Sequence, residues 1–502
     1  MDVMVSRNLS LKVIAFLGSR RFFYLILGLF ILQALWFVFS AQYPMAFDEN
    51  FHFGLIKVYS HQWGPIISVA PPGTGELGGL TREASYFFHY LMSFPYRIIQ
   101  LFTANQEAQI IVLRLLNVAM FTAGIVLFRK LFTKIKASPA LSNFALFIFI
   151  FIPIVPMLAA HINYDNLLFL LIPIILLVAM QASIKLQKNH LPVADISLLF
   201  ILCLLTSIVK YAFLPIFAGL GCYFLSLLFL KKKRQWATLF HEIPQGFRTI
   251  DMKLKVLLVL GLVVSGGLFL ERYGINELQY HSLVPDCGKV LSFEHCSQYG
   301  PWIRNFELAQ NNTDPHLPNP GMYALDWING MMHRLFFAIN HEYITQVQLP
   351  LPITAGYFVL VSGFIVVTSQ VRKLFRRYPA TILFFLVIGF YTAVITGRNY
   401  LGYEKLGEMV AINGRYFIPL MPIIFISLGL SFKLFIEKYK HSTTVKTTLA
   451  VLAIGFFLQG GGVMTYILRS DPSWHWQDPT VIQINDSAQK LLRPIIFEGS
   501  SK

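Results

Sequence analysis

Asp48 and Glu49 stand side by side, and His52 follows at a spacing that puts an imidazole and a carboxylate on one helical face. Acid beside imidazole is equipment for general acid–base chemistry. Asp48 and His52 are also candidate ligands for a divalent cation. A plainer use is open: the two acids could cap a short helix that begins near Asn50. The location weighs against a purely structural role. The stretch Ala46-Phe47-Asp48-Glu49-Asn50-Phe51-His52-Phe53 follows an apolar run, 22–41, long enough to cross a bilayer. Ionisable groups at a membrane boundary are expensive unless water, a cation or a reaction needs them.

The elements that must position these groups are membrane helices. Of the 502 residues, 55% are hydrophobic, the mean hydropathy is +0.59, and the apolar residues come in blocks of spanning length. The expected fold class is an all-α polytopic membrane protein with about eleven spans: 22–41, 108–127, 144–160, 167–181, 196–209, 212–230, 256–270, 351–371, 380–396, 416–432 and 448–468. A net charge of +16 raises the question of nucleic acid, but the distribution answers it. With the N-terminus inside, one compartment collects 25 of the 41 Lys and Arg against five acids, and the other side is left with a net charge of −4. That asymmetry is a topology signal of a multi-pass protein in a cytoplasmic membrane, and no nucleic-acid partner is needed.

Residues 1–468 read as one membrane domain and 469–502 as a short tail on the far side of the membrane, with Trp474 and Trp476 expected at the interface. Within the domain, the first external loop, 42–107, holds two amphipathic stretches, 49–62 and 84–102, expected as helices on the outer surface. Between them Pro71-Pro72-Gly73 and Gly78-Gly79 make a loop. Pro153 and Pro156 should kink or unwind the end of the third span. A second large loop, 271–350, reads as an irregular cap in which Cys287 and Cys296 are expected to form a disulfide. Cys203 and Cys222 fall inside spans and read as inert core residues.

On this topology Asp48, Glu49, His52, His161, Asp165, Lys210, Arg398, Glu404, Glu408 and Arg415 share one membrane face, although they come from separate loops. External loops are polar in any case, which suffices for His161 or Glu404 taken singly. Asp48, Lys210 and Arg415 sit beside apolar helix ends and point instead to a polar cavity at the lipid boundary. There is no nucleotide-binding G-x-x-x-x-G-K-[ST] loop, no G-x-S-x-G elbow and no H-E-x-x-H pair. An enzyme of this build would draw its substrate from the membrane.

Four short motifs carry a resemblance: Phe47-Asp48-Glu49-Asn50-Phe51-His52-Phe53, Ile162-Asn163-Tyr164-Asp165-Asn166-Leu167, Lys210-Tyr211, and Asn413-Gly414-Arg415-Tyr416-Phe417-Ile418-Pro419-Leu420. In order and in membrane side the chain resembles the bacterial family of integral membrane proteins labelled domain of unknown function 2142. Its layout resembles that of the GT-C superfamily of membrane glycosyltransferases. Asn50 stands where a proline is common in the former, and the His-Pro-Pro pattern of the latter is echoed only by His89 with Pro95. The resemblance implies transfer of a sugar from a polyprenyl-phosphate donor to an extracytoplasmic glycan, lipid or cell-wall acceptor. Asp48 would be the general base. Lys210 and Arg415 would face the departing phosphate. Glu49 and His52 would orient the acceptor or hold a metal ion, and His161, Asn163, Asp165 and Tyr416 would contact substrate. A flippase, or a polymerase or ligase of lipid-linked glycans, would also use a polar cavity on this face.

Overall fold

The computed structural model describes residues 2–45, 48–188, 191–231, 243–335, 337–338, 347–348, 350–437, 442–458 and 461–497. Ala46 and Phe47 of the first motif, and Lys232, Lys233 and Arg234 of the basic stretch, lie outside the described residues. The described chain is helical apart from a two-residue antiparallel pair, Phe337–Ala338 with Val347–Gln348.

In chain order the first helices are α1 (Asp2–Leu17), α2 (Arg20–Ser40), α3 (Glu49–Ser60), α4 (Phe87–Phe102), α5 (Gln106–Lys134), α6 (Pro139–Ile150), α7 (Ile154–Ala159), α8 (Tyr164–Gln187), α9 (Val193–Val209), α10 (Leu214–Lys231) and α11 (Met252–Phe269). Then come α12 (Ile275–Tyr280), α13 (Cys287–Val290), α14 (Phe293–Cys296), α15 (Gly300–Asn311), α16 (Pro320–His333), α17 (Pro350–Arg377), α18 (Thr381–Leu406), α19 (Met421–Ile436), α20 (Ser442–Leu458), α21 (Met464–Arg469) and α22 (Pro479–Phe497). A helix occupies each of the eleven expected apolar segments. Among the described residues six helices are long and apolar enough to cross a membrane, and shorter apolar helices accompany them, so the chain is a multi-pass membrane protein.

Local chemistry explains the breaks. Ser19 accepts the Phe22 N–H to start α2, and Asn105 accepts from Glu107 and Ala108 to start α5. The expected span 144–160 divides into α6 and α7 around Phe151–Pro153, because Pro153 and Pro156 cannot supply the N–H groups an uninterrupted helix needs. The core is aromatic. Phe121 on α5 stacks on Phe169 of α8 at 3.9 Å, and Gly124 lets the two helices close, since a Cβ there would lie 2.5 Å from the Phe169 ring.

Two additions cover the end of the bundle at which α2 stops and α8 starts. The first is the pair α3 and α4, which buries Phe53 and Ile56 against Phe88, Met92 and Tyr96. The second is the cap from α12 to α16, in which Cys287 and Cys296 form the expected disulfide. The cap rests on the glycines of the first loop. A Cβ on Gly75, Gly78 or Gly79 would collide with or crowd Gln298, the Tyr299 ring and Cys287, respectively. Gly78 also has a φ of +61, which a side chain would strain.

The tail differs from the expectation that places Trp474 and Trp476 at the membrane interface. Gln42 N–H donates to Trp474 O and Trp476 N–H to Ser40 O, so 472–476 runs beside the end of α2. Trp474 and Trp476 are buried, and Trp36 donates to Asn485 of α22. Indole surface gains more from packing on this end than from lying at a boundary.

With a sequence separation of nine between its cysteines, the disulfide should hold the cap segment by about 2–3 kcal/mol. Cys287→Ser with Cys296→Ser should therefore raise limited proteolysis within 280–300 several-fold while helix content by circular dichroism stays unchanged. Equal cleavage in both proteins would mean that the glycine contacts alone hold the cap.

Candidate functional site

Glu49 opens α3 with its side chain fully enclosed, facing Arg114 of α5, which is enclosed as well. The guanidinium grips it in bidentate fashion, Nε to Oε1 at 2.9 Å and Nη2 to Oε2 at 2.7 Å. Oε2 also accepts the Met45 N–H and Oε1 the Ile162 N–H. Arg114 spends its remaining donors on the carbonyls of Ala41 and Gln42 that close α2, and its plane lies over the Trp476 ring. Burial by itself pushes the Glu49 carboxyl up, but Arg114 and the Met45 N–H overcome it and hold the group below the ordinary carboxylate range. Glu49 therefore has no oxygen left to orient an acceptor or bind a metal, and the geometry assigns it to structure.

Asp48, one residue earlier, is different. It sits at the N-cap position of α3 yet makes no capping bond, so the helix-cap explanation fails. Its backbone is left-handed, with φ +69, a conformation aspartate tolerates better than most side chains. Its carboxylate is about half exposed, 54%, and accepts from Arg415 Nη2 at 3.1 Å. Arg415 lies in the 3₁₀ turn Gly414–Phe417 with its side chain buried. Asn413 accepts the Arg415 N–H and so fixes the turn.

Lys210 closes the end of α9 and is buried. Its ammonium donates to Asp165 Oδ1 at 2.5 Å and lies over the rings of Tyr164 at 4.5 Å and Tyr416 at 5.3 Å. Asp165 Oδ2 is buried with no hydrogen-bond partner among the described residues. Asn163 uses its side-chain oxygen to cap α8 at the Asp165 N–H. Arg398, from α18, places its guanidinium 4.9 Å from the Tyr211 ring. Glu408 is exposed, and Glu404 meets the cap through its carbonyl, which accepts from Asn312, so neither joins the pairs at Asp48 and Lys210.

Behind this surface His52, His89 and His161 are all buried. His52 Nδ1 and His89 Nε2 are 2.8 Å apart, and the His161 ring stands edge-on to His52. Burial lowers all three: His52 falls well below its ordinary value, with His89 and His161 adding to the effect, His89 drops to about 3, and His161 drops to about 4 despite the pull of Glu49. Among the described residues no three His, Cys, Asp or Glu side chains converge on a common point as metal ligands. Asp48 turns to Arg415 and His52 to His89, so the two candidates considered together for a divalent ion do not fit one.

The structure thus brings Asp48, Arg415, Lys210, Asp165, Tyr164 and Tyr416 to one place and sets Glu49 and the histidines behind them. Sequence reasoning passed over Arg114, His89 as the partner of His52, and Asn117, which accepts from Asn166 and supports the 160–163 turn. Arg114 had a signal, for it is a lone arginine inside an apolar segment, and such a charge must find a partner. Comparison with protein-family models, curated proteins and solved structures finds no match to this chain.

Two outcomes follow. Arg114→Leu leaves a buried carboxylate uncompensated and should cost about 3–5 kcal/mol, whereas Arg114→Leu with Glu49→Leu should recover most of that loss in a thermal-unfolding series; equal losses would mean the pair is not a coupled unit. The histidines bind protons more weakly folded than unfolded, so stability is complete above their unfolded value near 6.5 and falls as the pH drops below it. Each contributes up to about 1.4 kcal/mol per pH unit. The melting temperature in detergent should decline steadily between pH 6.5 and pH 4.5, and a flat profile would remove burial as the controlling factor.

Proposed function

We propose that the protein is a membrane glycosyltransferase that moves a sugar from a polyprenyl-phosphate carrier to an extracytoplasmic acceptor. In this reading the eleven apolar segments all span a cytoplasmic membrane in a GT-C-like arrangement, the N-terminus is cytoplasmic, and the site faces outward. The observation that carries the reading is the juxtaposition of a half-exposed carboxylate, Asp48, with two buried cations, Arg415 and Lys210, at the end of apolar helices. A base open to water beside cations held in a low-dielectric wall suits a hydroxyl attacking a carbon whose leaving group is an anion.

The acceptor O–H would give its proton to Asp48 as its oxygen bonds to the anomeric carbon. The bond from that carbon to the phosphate oxygen breaks, and the electron pair leaves on the polyprenyl phosphate. Arg415 and Lys210 stabilise the charge that develops there. The free arrangement is poised for this exchange. Arg415 holds Asp48, and a donor phosphate that takes over Arg415 would release the carboxylate to act as a base. Lys210 is held in place by Asp165 and framed by Tyr164 and Tyr416, so its ammonium needs no reorganisation.

Purified protein supplied with a radiolabelled polyprenyl-phosphate sugar separates transfer from transport, because only a transferase changes the covalent attachment of the label. Asp48→Asn should lower transfer by about 10²–10⁴-fold with the melting temperature within a few degrees of the parent. Full activity in that variant would take Asp48 out of the reaction.

A further inference from the structure

Arg398 stands apart from the paired charges of the site. It lies on α18 two residues past the expected span 380–396, which in the proposed topology is the level of the lipid head groups. It is exposed. One turn away on the same helix stand Val394, Ile395, Leu401 and Gly402, none of them acidic, and Val394 and Leu401 are exposed as well. An arginine on an exposed apolar stripe at the end of a span lies where the phosphates of a bilayer lie.

The same helix is fixed to the site. Tyr391, buried two turns before Arg398, donates its hydroxyl to Tyr416 O at 2.6 Å, in the turn that carries Arg415. Earlier in α18 the packing on α10 is so close that a Cβ on Gly219 would lie 3.1 Å from Leu386 O. From this anchored helix Arg398 sets its guanidinium 4.9 Å from the centre of the Tyr211 ring. Tyr211 directly follows Lys210, and its N–H donates to Ser85 Oγ at 3.1 Å, which ties the turn to the first loop. One fixed ring therefore stands between an exposed guanidinium and the buried ammonium that Asp165 holds.

A guanidinium stacked on a ring gives its face to the π-system and keeps its N–H groups, which lie in its plane, for another partner. Those N–H groups match a phosphate in two-point fashion. We propose that Arg398, stacked on Tyr211, is a lateral docking position for the phosphate of the polyprenyl carrier, met from the bilayer before that phosphate reaches Lys210 and Arg415. The carrier's part in transfer rests on the transferase reading; the docking of a polyprenyl phosphate does not.

Binding to the full chain in nanodiscs of neutral lipid tests the position without any reaction. The probes are a tritiated polyprenyl phosphate and the corresponding polyprenol, read by scintillation proximity. Wild type should bind the phosphate at least about ten-fold more tightly than the alcohol. Arg398→Gln should lose about ten-fold in affinity for the phosphate and keep its affinity for the alcohol. Arg398→Lys should recover part of that loss, because an ammonium attracts the phosphate without the two-point fit. Tyr211→Phe should bind as wild type does, because the ring carries the stack. Unchanged phosphate affinity in Arg398→Gln would overturn the proposal. So would equally effective competition by phosphatidylglycerol, which would make Arg398 a contact for bulk anionic lipid. With a sugar-bearing donor, Arg398→Gln should raise KM and leave kcat within about two-fold, the split expected of a residue that binds the carrier away from the reacting bond. A fall in kcat at unchanged KM would overturn the docking role. No transfer from any donor, with the Arg398-dependent binding intact, would sink the transferase reading and leave the docking position standing.

Discussion

The enclosed pair of Glu49 and Arg114 is the constraint on which the site end of this protein is built. Two charges removed from lipid and water must satisfy each other completely, and here they do so through two parallel hydrogen bonds, two backbone N–H donors and two backbone carbonyls. Those partners belong to the end of α2, the start of α3, the middle of α5 and the turn before α8. One ion pair thus sets the relative positions of four segments that are far apart in sequence. Asp48 takes its direction from it: with Glu49 locked inward, the preceding residue is turned the other way on a left-handed backbone.

The same principle, applied less completely, distinguishes the working surface from its support. Behind the surface, Asn163 caps α8 and His52 meets His89. At the surface the closure is partial. Asp48 is half exposed, and Asp165 keeps an oxygen without a partner among the described residues. Incomplete satisfaction at a rigid site is what a substrate can exploit, because it finds fixed groups whose solvation has already been given up.

Much of the scaffold was legible in the sequence because hydropathy is a local property. Each expected apolar segment became a helix, and Pro153 and Pro156 marked the break between α6 and α7 where a kink was expected. The two helical stretches of the first loop and the disulfide of the cap could also be read from spacing alone. What could not be read was pairing at a distance. Glu49 and Asp48 are indistinguishable by type and position, and their different fates depend on Arg114 and Arg415, which lie 65 and 367 residues away, respectively. Asn163 looked like a substrate contact because nothing local reveals that its oxygen is committed to a helix start. Trp474 and Trp476 looked interfacial because amphipathic indoles favour both a boundary and a core.

The run from 472 to 476 has a bearing on how the protein comes into being. It hydrogen-bonds to residues 40–42 and lays Trp476 on Arg114, so the Glu49–Arg114 pair reaches its finished surroundings only when 472–476 has emerged. During synthesis the first helices must wait in the bilayer with that arginine incompletely sheltered. The order of assembly is therefore written into the architecture: this end of the bundle is complete only once 472–476 has joined it.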